Sequence, residues 1–72
     1  MLSVAGTNYE EEEMREICSS VCKELFGKSD VRTLSAQGRI YLAQELRRRY
    51  AVGISQLSRR VHLPESELRK YL

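Results

Sequence analysis

Six residues, Met14, Ile17, Cys18, Val21, Cys22 and Leu25, recur at i, i+3, i+4, i+7, i+8 and i+11. Only an α-helix puts that spacing on one face. The stripe predicts a first helix over 9–26. Thr7 or Asn8 caps it, with Glu10 or Glu11 three residues on as the capping-box partner. Glu10, Glu11, Glu12 and Glu13 then fall in the first turn, where the helix dipole favours negative charge. Gly27 stops the helix, because glycine takes left-handed backbone without steric cost.

The helical period continues downstream. Val31 and Leu34, in a connector over 28–34, tuck toward the core. A second helix is expected over 35–50, with Ile40, Ala43, Leu46 and Tyr50 on one face and Leu42 widening it. Gly38 inside it costs about 1 kcal/mol against alanine, and its bare Cα invites close approach of a helix or a phosphate. Arg47, Arg48 and Arg49 end this helix, where cations suit the dipole. A linker over 51–54 holds Gly53 as breaker. Ser55 caps a third helix over 56–61, and Pro64 opens a fourth over 64–72. The expected fold is all-α, a small four-helix domain over 9–72 behind a flexible leader at 1–8. Its core is built on Ile17, Val21, Leu25, Ile40, Ala43, Leu46, Leu57, Val61 and Leu68. No strand pattern, internal repeat or low-complexity linker competes.

At 72 residues the chain suits one small domain that buries only ~60% of its unfolded surface. No apolar run approaches the ~20 residues of a membrane span. Residues 1–8 lack the basic start and apolar stretch of a secretory signal. The expectation is a cytoplasmic chain with no membrane contact. Cys18 and Cys22 lie one helical turn apart, a poor geometry for a disulfide. His62 is the one histidine, so no zinc set forms and no cofactor is expected. The cysteines are read as reduced core residues. With no Ser/His/Asp set, glycine-rich phosphate loop or arguable carboxylate pair, the chain is read as non-enzymatic.

Residues 54–72 carry a helix-turn-helix pattern. Leu57 and Val61 are i and i+4 on its first helix, with small Ser58 where the helices cross. Leu63 lies in the turn. Leu68, Tyr71 and Leu72 form the inner face of the second helix. Charge is segregated. Residues 1–30 hold three Lys/Arg against seven Asp/Glu, or −4; residues 31–72 hold nine against three, or +6. Eight of those nine are arginines, whose planar fork suits phosphate and guanine. Double-stranded DNA is the expected partner. The competing reading is a helical protein-interaction or dimerisation module. Glu65 and Glu67 favour it, since acidic groups at the start of a recognition helix repel phosphate. The helix dipole alone also accounts for them.

The stripe Ile17-x3-Val21-x3-Leu25, the connector with Arg32, Gly38-RIYLAQEL-Arg47 and Ile54-SQLSRRV-His62 carry a resemblance. Together they look like the Trp-repressor-like superfamily. The chain is most similar there to the C-terminal DNA-binding domains of the bacterial chromosomal replication initiator and of REP-associated tyrosine transposases. The resemblance spans about residues 16–72. It implies sequence-specific duplex binding, with a basic residue before the long helix on phosphate and the last helices in the major groove. Arg32 and Arg39 fall at such phosphate positions. The full expectation places Glu65, Ser66, Arg69 and Lys70 on base edges and Arg32, Arg39, Arg47, Arg48, Arg59 and Arg60 on phosphates. Where the initiator opens its recognition helix with Asp-His-Ser-Thr, this chain has Leu63-Pro64-Glu65-Ser66-Glu67. His62 replaces the usual turn glycine. The transposases cut DNA with a metal-holding histidine pair and a nucleophilic tyrosine. This chain has one histidine, and Tyr9, Tyr41, Tyr50 and Tyr71 have no such set beside them. The resemblance therefore implies an accessory binding domain only.

Overall fold

The computed structural model describes residues 9–72. The leader at 1–8 and a cap at Thr7 or Asn8 lie outside the described residues. The chain forms α1 (Glu11–Phe26), a 3-10 turn (Val31–Thr33), α2 (Ala36–Tyr50), α3 (Ile54–Val61) and α4 (Glu65–Leu68). No strand occurs among the described residues, so the domain is all-α as the spacing predicts.

α1 starts two residues later than expected. Its N-cap is Glu10, in extended backbone and with no side-chain cap bond. The reason lies one residue earlier. Tyr9 donates its backbone N–H to Gln56 Oε1 at 2.9 Å and accepts from Gln56 Nε2 at 2.6 Å. The Tyr9 carbonyl faces the Gln56 amide, and the first helical bond runs instead from the Met14 N–H to the Glu10 carbonyl at 2.7 Å. Gly27 closes α1 at φ 73°, its N–H on the Lys23 carbonyl, as expected. In the connector, the Asp30 carboxylate accepts from the Arg32 backbone N–H at 3.0 Å, and Val31 and Leu34 are buried.

The Ser35 hydroxyl caps α2 by accepting from the Gly38 N–H at 3.2 Å. A Cβ at Gly38 would lie 3.3 Å from Leu34 Cβ and 3.8 Å from Phe26 Cε1, so the bare position serves the approach of α1 and the connector. α2 ends at Ala51, which takes left-handed backbone at φ 55°, a conformation seldom adopted outside glycine and asparagine. α3 is longer than expected. Gly53 is its N-cap without a side-chain bond, so Ser55 lies inside the helix and does not cap it.

α4 is the larger correction. A helix over 64–72 is expected, but the helix holds four residues, with Pro64 as its N-cap. Beyond it the chain closes in tight turns, with Lys70 N–H on Glu67 O at 3.2 Å and Tyr71 N–H on Leu68 O at 2.9 Å. Tyr71 and Leu72 do not join the inner face; they are 48% and 39% exposed. Packing decides whether so short a helix persists, and Leu68 is the one side chain of α4 that is buried.

The core holds Val21, Ala43, Leu46, Leu57, Val61 and Leu68 as expected. Ile17 and Leu25 are half-buried at its rim, and Ile40 is half-buried beside a surface depression with Tyr41 and Tyr71. Met14, Leu42 and Val52 occupy its depth instead, each fully buried. Tyr50 leaves the face assigned to it and is exposed, its ring edge-on to Tyr9 at 6.5 Å. No helix of the described residues is long and apolar enough to cross a membrane.

Cys18 and Cys22 are both buried and unpaired. Burial, with the neighbouring Cys22 sulfur adding to it, pushes the Cys18 thiol up to about 11. Burial also raises Cys22. The thiolate is the reactive form, so both residues should label slowly with iodoacetamide at neutral pH and rapidly in denaturant. Mass spectrometry of the native protein checks this. Fast native labelling of both would contradict their burial.

Candidate nucleic-acid interface

α3 and α4 are joined by a turn whose shape two hydrogen bonds and one left-handed residue fix. The Ser58 hydroxyl donates to the Leu63 carbonyl. The Leu63 N–H donates back to the Ser58 carbonyl at 3.2 Å. His62 sits between them in left-handed backbone at φ 58°. Ser58 is thus more than a small residue at a crossing, since its hydroxyl ties the turn. Leu63 is half-buried against the core.

On this frame Arg59 is exposed, with no ion-pair partner among the described residues. Ser66 is exposed as well. Arg69 reaches Glu65 at 3.3 Å and Lys70 reaches Glu67 at 3.7 Å, both one turn apart on the surface. Arg60 is more enclosed, its side chain 24% exposed and 3.5 Å from Glu11 of α1. Arg32 lies 3.7 Å from Asp30 with its side chain in solvent. Arg39 is half-buried, and its Nε is buried without a hydrogen-bond partner.

The arginines at the end of α2 are engaged inside the fold. Arg47 Nη1 donates to the Val52 carbonyl at 3.2 Å and so holds the α2–α3 linker. Arg48 pairs with Glu45 at 2.6 Å. Arg49 bridges Glu45 at 3.1 Å and Glu24 of α1 at 2.9 Å. The hydrogen bond from Arg49 holds the Glu24 carboxyl below its ordinary value, and the one from Arg48 does the same for Glu45. These carboxylates compete directly with any phosphate for Arg48 and Arg49.

A different cluster emerges between α1, the 3-10 turn and the end of α3. Arg15, Arg32, Arg60 and His62 line an open groove of about 480 Å³, with Asp30 and Ser19 also on its wall. Three arginines from three elements and one aspartate line it. Arg32 and Arg60 were expected to be cationic contacts; Arg15 was not, because the charge count places it in the acidic half. Its helical position carried a signal. Arg15, Cys18 and Ser19 stand at i, i+3 and i+4, so Arg15 flanks the buried stripe rather than the outer face of α1.

Comparison of the chain with protein-family models, curated proteins and solved structures gave no match.

Proposed function

We propose that this chain binds double-stranded DNA sequence-specifically, using α3, its turn and α4 as a helix-turn-helix. Its place would be the accessory domain of a transposase-like or replication-initiator-like protein. The observation that carries the reading is the stretch from Arg59 to Lys70. There a turn tied by Ser58 and His62 is flanked by exposed Arg59, Ser66, Arg69 and Lys70. Rigid presentation of exposed cations and a small polar side chain is what groove reading requires. The pairs Arg69–Glu65 and Lys70–Glu67 do not block this. Exposed ion pairs are worth about 0–1 kcal/mol, less than a bidentate contact to guanine at about 1–3 kcal/mol. In this reading Arg69 and Lys70 turn to base edges, Glu65 accepts from cytosine N4, and Ser66 hydrogen-bonds a base edge. Arg32, Arg39, Arg59 and Arg60 hold phosphates. Arg47 and Arg48 keep their intramolecular partners and contribute little.

Two substitutions separate the roles. Arg59→Ala should weaken all duplexes about equally and lower the salt slope by about 1. Arg69→Ala should relax preference at one base position, at about 1–3 kcal/mol. Selection from random duplexes, followed by salt titration of the selected sequence, measures both. A wild-type chain with no salt-dependent duplex binding at low ionic strength overturns the reading. The protein-interaction module is then the better account. Exposed Tyr41 and Tyr71, which with Ile40 line a shallow depression, favour that alternative.

A further inference from the structure

Building on the DNA reading, we propose that the groove between α1 and the end of α3 holds one backbone phosphate of the same duplex. Arg15 is its α1 cation, and Glu11 is the counter-charge that the phosphate displaces. The groove borders His62, the residue of the α3–α4 turn. A duplex seated on that turn therefore carries its flanking strand past the groove mouth. The wall is cationic on balance, with Arg15, Arg32 and Arg60 against Asp30. Ser19 adds a hydroxyl donor. Asp30 is already satisfied in part by the Arg32 backbone N–H and guanidinium.

Arg15 has no ion pair or side-chain hydrogen bond among the described residues, so its guanidinium lacks an intramolecular role that would account for its place on the wall. Arg60 is different. At 3.5 Å from Glu11 it sits in a long, weak pair whose carboxylate is mostly in solvent. A phosphate offers Arg60 a shorter, charge-assisted contact. Glu11 is therefore the carboxylate that holds the Arg60 guanidinium in the free protein. Arg60 leaves it when DNA arrives.

The test uses the whole chain and one duplex of fixed sequence. Salt titrations compare wild type, Arg15→Ala and Glu11→Gln, with thermal melts to verify that each variant is folded. Arg15→Ala is expected to lower the salt slope by about 0.9, one phosphate contact. Glu11→Gln is expected to tighten binding by roughly two- to five-fold, the release of one exposed ion pair. A parallel titration with inorganic phosphate follows the guanidinium Nε–H resonances of Arg15, Arg32 and Arg60. If wild type binds duplex and Arg15→Ala leaves the slope unchanged, the groove proposal fails while the helix-turn-helix reading stands. A response to inorganic phosphate with that unchanged slope assigns the groove to a free phosphate and also overturns the proposal. If wild type binds no duplex, the DNA reading itself fails, and the groove proposal falls with it.

Discussion

Leu57→Ala is expected to bring the domain to the edge of global unfolding at room temperature. Leu57 is fully buried. It lies on α3, the helix that touches α2, α4 and the 3-10 turn. Truncating a buried leucine costs about 2–5 kcal/mol, through lost transfer energy and the cavity left behind. A domain of this size has about 3–5 kcal/mol in total from its core. The two quantities overlap, so one substitution consumes most of the stability. Circular dichroism at 222 nm is the far-UV helix band, read here through a urea titration. The variant should show a midpoint near zero denaturant, or no folded baseline. Ile17→Ala, half-buried at the rim, should shift the midpoint much less. A Leu57→Ala loss below about 1 kcal/mol would refute the placement of α3 at the centre of the core.

That centre was legible in the sequence because α3 repeats its apolar residues with helical period. Leu57 and Val61 needed no neighbour to reveal their face. α1 was equally clear, with its stripe and its terminal Gly27. The errors fall where one residue had to be weighed against the rest of the fold. Val52 sits in a linker with no period, yet it is fully buried. Tyr71 and Leu72 fit the spacing of α4 but are exposed, because the helix stops at Leu68. Periodicity assigns a face to a helix and says nothing about where tertiary contacts end it. Ala51 at positive φ has no sequence signature at all, since alanine is an ordinary helix residue.

The candidate site was legible as charge and not as geometry. Counting arginines in residues 31–72 could not separate Arg47, which holds the Val52 carbonyl, from Arg59, which has no ion-pair partner among the described residues. Nor could it show that Arg48 and Arg49 share Glu45. The segregation of acidic and basic halves is also less complete in three dimensions than along the chain. Arg49 reaches back to Glu24 and Arg60 to Glu11, so two of the basic residues are tied to α1. Arg15, from the acidic half, reaches the cationic groove in return.

Gln56 ties the segment before α1 to α3, and its removal is the second large effect expected. It is the buried polar side chain of the core, 5% exposed. Its amide pairs with both backbone groups of Tyr9, much as a neighbouring strand would. The Tyr9 hydroxyl then donates to the Tyr50 carbonyl at 2.7 Å. Gln56→Ala strips two partners from a half-buried backbone, each worth about 1–3 kcal/mol when left unsatisfied. Tyr9 can swing toward water, so the loss should lie near the lower end, about 2 kcal/mol for the pair. Amide hydrogen exchange at Tyr9 should quicken by more than exchange in the middle of α2. Gln56→Glu sharpens the test. The new side chain keeps an acceptor for the Tyr9 N–H but turns a carboxylate toward the Tyr9 carbonyl. Burial and that carbonyl favour the protonated acid, so the folded-state pKa rises above the unfolded value of about 4.3. With the folded value raised, the variant is relatively most stable below about pH 4.3 and loses that stability as pH rises through the folded value. The midpoint difference from wild type should therefore widen between acidic and neutral pH. A difference that stays flat with pH would mean that Gln56 does not hold Tyr9. The start of α1, with Glu11 and Arg15, would then lack its anchor against Arg60.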